Sequence, residues 1–198
     1  MTKQSTSNKV VIVTGASSGI GEATARRFAE AGYAVVLAAR RKVLLVQIAS
    51  KIAAAGGRAL AVPTDLSDAG PTPALVHRSL AAFGRGDVLV NNAGYGPPFA
   101  LEQLDRESLR HVFDVNLLSG MQLISELTPI MREQGGGRVV NVSSLSRHVG
   151  APFVSAYAAT KGGMEAMSAC LRICLLYTSP SPRDSYADRV CRLLLERG

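Results

Sequence analysis

With 198 residues, of which 47% are hydrophobic and 19% charged, the chain indicates one soluble globular domain and excludes a disordered, fibrous or membrane-spanning protein. The formal net charge of +7 is spread over helical segments without an aromatic stripe, which favours a solvated surface over a nucleic-acid interface. The polar N-terminus and three cysteines without metal-ligand or disulfide spacing predict a cytoplasmic protein with no metal site.

The first half of the chain alternates short apolar runs with longer helical patterns. Apolar runs at 9–15, 33–39 and 58–65 predict strands, and the segments at 20–32, 41–57 and 73–84 that follow them predict helices. Gly32 stands where the first helix should end, because glycine accepts the left-handed backbone of a helix C-terminus. The pattern is therefore strand and helix in strict alternation.

The second half continues this alternation with a strand at 87–94, a helical segment inside 105–134 and a strand at 138–144. Near-continuous apolar strands separated by helices predict an α/β domain with a doubly wound parallel sheet, covered on both faces and joined by right-handed crossovers. A full doubly wound fold has six strands, whereas only five precede Tyr157. The sheet is therefore expected to be incomplete, lacking the last strands.

The turn after the first strand reads "TGASSGIG" and lies directly before a helix. Glycines at these positions allow a tight turn, close approach of a pyrophosphate to the backbone and close helix–strand packing. A purely structural turn is the alternative, and a P-loop is excluded because no Gly-Lys-Ser/Thr follows. We therefore expect a dinucleotide to contact Gly15, Ser17, Ser18, Gly19, Ile20 and Gly21.

Two arginines, Arg40 and Arg41, stand where a carboxylate that binds a ribose 2′-hydroxyl is expected, about 20 residues after the glycines. Guanidinium groups suit a 2′-phosphate, because they form charged, bidentate hydrogen bonds with it. The alternative is two solvent-facing residues at a helix start, but positive charge there opposes the helix dipole unless an anion is bound. The pair predicts NADP rather than NAD as the cofactor.

Five motifs in chain order resemble the short-chain dehydrogenase/reductase family over about residues 8–172. They are "TGASSGIG", "NNAG" at 91–94, Asn116 in "DVN", Ser144 in "NVSS", and Tyr157 with Lys161 in "YAATK", with the tyrosine thirteen positions after the serine. The resemblance implies a Rossmann domain that transfers a hydride between NADP(H) and a small-molecule alcohol or carbonyl substrate. It also implies a homo-oligomer when the protein is full length.

The candidate catalytic residues are Asn116, Ser144, Tyr157 and Lys161. Tyr157 and Lys161 are four residues apart and share a helix face, so the ammonium can stabilise the phenolate needed for general acid/base chemistry. Ser144 follows a strand and could hydrogen-bond a substrate oxygen. The resemblance implies that Lys161 also holds the nicotinamide ribose and that Asn116 helps to relay protons.

The resemblance further implies cofactor contacts after three of the strands. Asp65 would approach the adenine, with Leu66 beside it, and the groove would be lined by Asn91, Ala93 and Gly94. Each candidate has a structural alternative: a packed tyrosine, a serine pair that caps a helix, or an Asn-Asn turn. A non-catalytic dinucleotide-binding module therefore remains the alternative function. His77 and His111 are expected on helix surfaces, and His148 is a weaker substrate-side candidate.

The stretch "CLLYTSPSPRD", which begins at Cys174, interrupts the predicted last helix with two prolines. It back-translates to a sequence similar to the transposon end of a sequencing-library adapter, and "VCRLLLE" resembles the outer adapter of such a library. We therefore predict an oxidoreductase domain at 1–173 and a non-native tail at 174–198, which would leave this polypeptide impaired as an enzyme. The alternative is a native tail whose last fifteen residues form an amphipathic helix.

Overall fold

Parallel strands form the centre of the molecule in a computed structural model that describes residues 8–67, 70–177 and 191–194. The strands are β1 (Val10–Thr14), β2 (Ala34–Ala39), β3 (Arg58–Pro63), β4 (Val88–Asn91), β5 (Arg138–Val142) and β6 (Cys191–Leu194). The helices are α1 (Gly19–Glu30), α2 (Lys42–Ala54), α3 (Pro71–Phe83), α4 (Arg106–Phe113), α5 (Ser119–Glu133) and α6 (Ser155–Tyr177). The strand order is β3-β2-β1-β4-β5-β6, with every neighbouring pair parallel.

The predicted doubly wound sheet is confirmed, and its first five strands lie where the apolar runs place them. One difference concerns the far side of the sheet. The backbone of Cys191–Leu194 pairs with β5, with Arg192 opposite Val140, whereas the apolar pattern predicts no strand after β5. An exposed strand edge carries unpaired N–H and C=O groups, so a short segment free of glycine and proline can add to it. The rest of the predicted tail, at 178–190 and 195–198, lies outside the described residues.

The side chains of β1 alternate between two apolar cores, one on each face of the sheet. Val10 and Ile12 belong to the core that includes Leu127 of α5, whereas Val11 and Val13 belong to the core that includes Leu45 of α2. This arrangement explains the continuous apolar run, because a strand covered on both faces has no solvent side. Burying each such side chain stabilises the fold by about 1.5–3 kcal/mol relative to leaving it exposed.

Asp87 joins the beginnings of three neighbouring strands. Its carboxylate accepts hydrogen bonds from the backbone N–H of Val10 at 2.9 Å and from Arg85 Nη2 at 2.7 Å. Its backbone carbonyl accepts from the N–H of Arg138 at 2.8 Å. The carboxylate also raises the pKa of the Arg85 guanidinium, mainly through the hydrogen bond between these two side chains and further through its negative charge. A charged group buried this deeply is retained because it is paired and fully hydrogen-bonded.

The chain reverses its direction of winding between β1 and β4, which are neighbours in the sheet although β2 and β3 come between them in sequence. The loops that leave the carboxyl ends of β1 and β4 therefore diverge and open a crevice, which is where open α/β sheets bind ligands. Above this crevice a π-helical turn at Asp114–Leu118 interrupts the helical segment between α4 and α5. In the part of the chain that the structure describes, no helix is long and apolar enough to cross a membrane.

Candidate active site

The glycine-rich turn between β1 and α1 forms the floor of the crevice. Gly15 and Gly19 have φ angles of +64° and +56°, which favour glycine. A Cβ on Gly21 would overlap the carbonyl oxygen of Gly15, and a Cβ on Gly15 would lie 2.8 Å from Asn92 Nδ2. Only glycine therefore lets α1 begin so close to β1, which leaves the helix N-terminus facing the crevice as an anion-binding site.

Thr14 and Asn92 tie the two walls of the crevice together. Thr14 Oγ1 accepts hydrogen bonds from the backbone N–H groups of Asn92 and Ala93, each at 3.0 Å. Asn92 Nδ2 donates to the Thr14 carbonyl oxygen at 3.0 Å. Neither residue has a predicted role. The signal available was their position at the ends of two strands that flank the switch point of the sheet.

A cavity of about 320 Å³ extends from this turn toward α2 and is lined by both predicted arginines, Arg40 and Arg41. Arg41 Nη2 donates to Ser17 Oγ at 2.8 Å and to Ser18 Oγ at 2.6 Å, and its Nε donates to Ser17 Oγ at 3.1 Å. These bonds hold the guanidinium against the glycine-rich turn. Among the predicted cofactor contacts, the lining includes Gly15, Ser17, Ser18, Arg40, Arg41, Asp65, Leu66, Ala93 and Gly94.

Asp65 and Tyr95 form the wall of this cavity opposite the turn. A hydrogen bond from the Ser67 backbone N–H is the main cause that lowers the pKa of Asp65. Burial opposes this lowering, whereas the hydrogen bond from the Ser67 hydroxyl and the positive charge of Arg40 reinforce it. Burial raises the pKa of Tyr95. His111 also lines the cavity, with its ring 5.3 Å from the Tyr95 ring in an edge-on contact. The prediction of His111 as a helix-surface residue missed this contact, because the loop that brings Tyr95 there has no periodic pattern.

A second cavity, of about 260 Å³, continues from the turn toward α6 and is lined by Tyr157 and Lys161. Lys161 is only 3% exposed, and its Nζ donates to the carbonyl oxygen of Val142 at 2.7 Å. The same Nζ lies 5.6 Å from the centre of the Tyr157 ring. The structure therefore brings the predicted tyrosine and lysine together beside the glycine-rich turn, with Ile20 on the opposite wall.

Two serines follow β5, and they have different surroundings. Ser143 lines the second cavity, and its Oγ is buried without a hydrogen-bond partner among the described residues. Ser144 is the predicted catalytic serine. Its Oγ accepts two hydrogen bonds from Ser146, one from the backbone N–H at 3.2 Å and one from the hydroxyl at 3.0 Å. Its remaining hydrogen can still be donated to a ligand.

Asn116 is buried in the π-helical turn and connects the two cavity walls. Its Oδ1 accepts from the N–H of Tyr95 at 2.9 Å, and its Nδ2 donates to the Tyr95 carbonyl oxygen at 2.8 Å and to Thr160 Oγ1 at 3.1 Å. Both amide hydrogens are thus used inside the protein. The described hydrogen bonds make this side chain a clamp on the loop after β4.

Asn91 does not line either cavity described above. Its Nδ2 donates to Asn141 Oδ1 at 2.9 Å, and Asn141 Nδ2 donates to Ser168 Oγ of α6 at 2.7 Å. The side chain that lines the second cavity is that of Asn92, and the expected cofactor contact of Asn91 stays a prediction. The physical reason is the alternation of side chains along an extended chain, which sends neighbours to opposite sides.

The residues present fit a dinucleotide. A Cβ on Gly15 or Gly21 would fill the space at the glycine-rich turn. Arg41, bonded to Ser17, lines the first cavity. The Ser143 hydroxyl, which has no hydrogen-bond partner among the described residues, lines the second. Across the described residues, no group of three or more His, Cys, Asp or Glu side chains is placed to hold a metal ion. The arrangement can therefore supply an anion site, a tyrosine–lysine pair and hydrogen-bonding serines.

Comparison with known proteins agrees with this arrangement. The family model described as short chain dehydrogenase matches residues 9–178. The chain is 38% identical over 156 residues to the ketoacyl reductase HetN of Nostoc sp., covering 79% of this chain and 54% of that protein. It is 40% identical over 164 residues to an uncharacterised oxidoreductase of Methylorubrum extorquens, covering 82% and 65%.

A solved structure of a metagenomic short-chain oxidoreductase in complex with NADP superimposes with a TM-score of 0.85 and 32% identity. The superposition covers 97% of this chain and 83% of that one. The chain spans 54% to 65% of the length of the two curated relatives named above. Since the family model matches most of the sequence, the chain belongs to the short-chain dehydrogenase/reductase family of NAD(P)-dependent oxidoreductases.

Proposed function

We propose that the protein interconverts an alcohol and a carbonyl compound with NADP(H) as hydride carrier. The observation that carries the proposal is the buried Lys161 Nζ next to the Tyr157 ring, in a cavity that continues from the glycine-rich turn. A module that only binds a dinucleotide does not require a tyrosine beside a buried ammonium. When bound, the cofactor supplies or accepts the hydride at the substrate carbon.

The protein residues handle the proton and the orientation of the substrate. In the reduction, Tyr157 Oη donates its proton to the carbonyl oxygen, and in the oxidation it accepts the proton of the alcohol. The Lys161 ammonium stabilises the phenolate left on Tyr157, and its bond to the Val142 carbonyl holds it in place. Ser144 donates a hydrogen bond to the substrate oxygen, which keeps that oxygen near Tyr157.

The preference for NADP over NAD rests on the first cavity. Arg41 is held by two serine hydroxyls at the glycine-rich turn, so its guanidinium is already oriented before an anion binds. Arg40 adds a second positive charge on the same cavity wall. The relative solved with NADP supports this assignment. A charged hydrogen bond to a phosphate contributes roughly 1.5–3 kcal/mol, which is about a tenfold or larger change in affinity.

Replacing Arg41 with Ala is expected to weaken NADPH binding about tenfold or more while leaving NADH binding within about twofold, because only NADPH carries the 2′-phosphate. Arg40→Asp is expected to shift the preference toward NADH. Dissociation constants from cofactor fluorescence or calorimetry measure this without turnover. Arg27→Ala is the matched control, because Arg27 is an exposed arginine of α1 paired with Glu30. Equal affinity of the unsubstituted protein for the two cofactors would contradict the proposal.

The impaired activity of the 198-residue polypeptide stays a prediction, together with the domain at 1–173 and the non-native tail. Amplifying the source gene across the codon of Arg172 should reveal a reading frame that differs from "CLLYTSPSPRD", and the protein it encodes should reduce carbonyl compounds faster than this chain does. A gene that encodes this stretch natively, or equal turnover by the two proteins, would refute the tail interpretation.

A cytoplasmic location and a homo-oligomeric full-length protein are likewise predictions. The oligomeric state is measurable by light scattering.

A further inference from the structure

Gly96 follows β4 and packs directly against the Tyr157 side chain. A Cβ built on Gly96 would lie 2.9 Å from Tyr157 Cγ and 3.0 Å from both Cβ and Cδ2 of that residue. These atoms belong to the inner part of the tyrosine side chain, which cannot move without moving the whole ring. The φ angle of Gly96 is not positive, so its backbone conformation is accessible to any residue. Glycine is required here only because the Tyr157 side chain leaves no space for a Cβ.

Neither partner can retreat easily from this contact. The residue before Gly96 is clamped by Asn116, which bonds both the N–H and the carbonyl oxygen of Tyr95. Thr160 Oγ1 accepts from the same Asn116 and donates to the Tyr157 carbonyl oxygen at 2.7 Å. The loop after β4 and the first turns of α6 are therefore held at a fixed separation, and a methyl group between them must displace the tyrosine ring.

We propose that Gly96 is a positioning residue: by lacking a side chain, it sets the rotamer and depth of the Tyr157 ring beside Lys161. The consequence for the reaction rests on the proposed function, in which Tyr157 Oη transfers the proton. A shift of a few tenths of an ångström at the ring base becomes larger at Oη, which is the far end of the side chain. Misplacement of a reacting group on this scale is expected to lower kcat by about tenfold or more.

The test compares Gly96→Ala with Gly150→Ala. Gly150 is the matched control, because it is a loop glycine without a positive φ, and a Cβ built on it has no other atom within 4 Å. In protein labelled on the tyrosine rings, the Tyr157 resonance is identified by its loss in Tyr157→Phe. We expect Gly96→Ala to shift that resonance and to lower kcat, with the NADPH dissociation constant within about twofold, whereas Gly150→Ala changes none of these.

The outcomes of this test separate the contact between Gly96 and Tyr157 from the proposed function. An unshifted Tyr157 resonance, or unchanged kcat, in Gly96→Ala overturns the proposal. If the unsubstituted chain does not turn over, which is the impairment predicted for this polypeptide, the resonance alone decides the contact, and the proposed function is tested on the protein that the source gene encodes. If Gly96→Ala folds poorly, it is made again together with Tyr157→Ala, which removes Cγ and Cδ2. Recovery of soluble protein then supports the contact, and no recovery overturns it.

Discussion

In the full-length enzyme, a Tyr157→Phe variant is expected to lose about 10²- to 10⁴-fold in kcat while its NADPH dissociation constant stays within about twofold. The change removes one oxygen and leaves the ring that packs against Gly96 and Lys161. The loss arises because, among the described residues, Tyr157 is the phenol that lines the second cavity, so the substrate oxygen loses its general acid. The measurement is steady-state carbonyl reduction followed by NADPH absorbance, with binding determined separately by calorimetry.

Tyr33→Phe is the control for this variant. Tyr33 lies after α1, with its ring 5.0 Å from Phe28 in an edge-on contact, and it lines neither cavity. Both variants lose one hydroxyl, so a difference between them reports the position of Tyr157 rather than the loss of a phenol. Retained turnover in Tyr157→Phe would mean that another group donates the proton. Loss of NADPH binding would instead show that the variant disturbs the cofactor site.

Gly21→Ala is expected to weaken NADPH binding about tenfold or more, or to lower the free energy of unfolding by roughly 1–3 kcal/mol. The added Cβ would overlap the Gly15 carbonyl and would lie 2.6 Å from Asn92 Nδ2. Backbone cannot swing aside as a flexible side chain can, so α1 must move away from β1. That movement displaces the helix N-terminus that faces the crevice and is proposed to bind the cofactor phosphates. Calorimetric titration with NADPH and thermal unfolding measure the two effects.

The comparison variant is Gly162→Ala, because Gly162 is also helical and a Cβ on it has no other atom within 4 Å. Alanine in a helix interior usually stabilises by roughly 0.5–1 kcal/mol relative to glycine, so this variant should be at least as stable as the unsubstituted protein. Unchanged NADPH affinity together with unchanged stability in Gly21→Ala would contradict the close packing of α1 against β1.

The sequence by itself determined the order of strands and helices along the chain and the glycine-rich turn at which a dinucleotide is expected. Uninterrupted apolar runs such as Val10–Thr14 favour a strand covered on both faces, and the glycines after β1 favour a tight turn into a helix. The spacing of Tyr157 and Lys161 likewise places both on one helix face. These inferences depend on neighbours along the chain, for which local geometry is sufficient.

Only the tertiary structure decided which of two similar neighbours faces the site. The side chain of Asn92 lines the second cavity, whereas that of Asn91 bonds Asn141. Ser143 lines the same cavity, whereas the hydroxyl of the predicted Ser144 bonds Ser146. The outcome depends on the side to which each extended residue points at a strand end, where the regular alternation stops and loop contacts take over.

The tertiary structure also decided the contacts between segments far apart in sequence. Gly96 against Tyr157, His111 beside Tyr95, and the pairing of Cys191–Leu194 with β5 leave no periodic trace in the sequence. Such contacts form because the sheet and its covering helices bring loop residues within van der Waals distance, and the sequence pattern of a loop does not encode its partner.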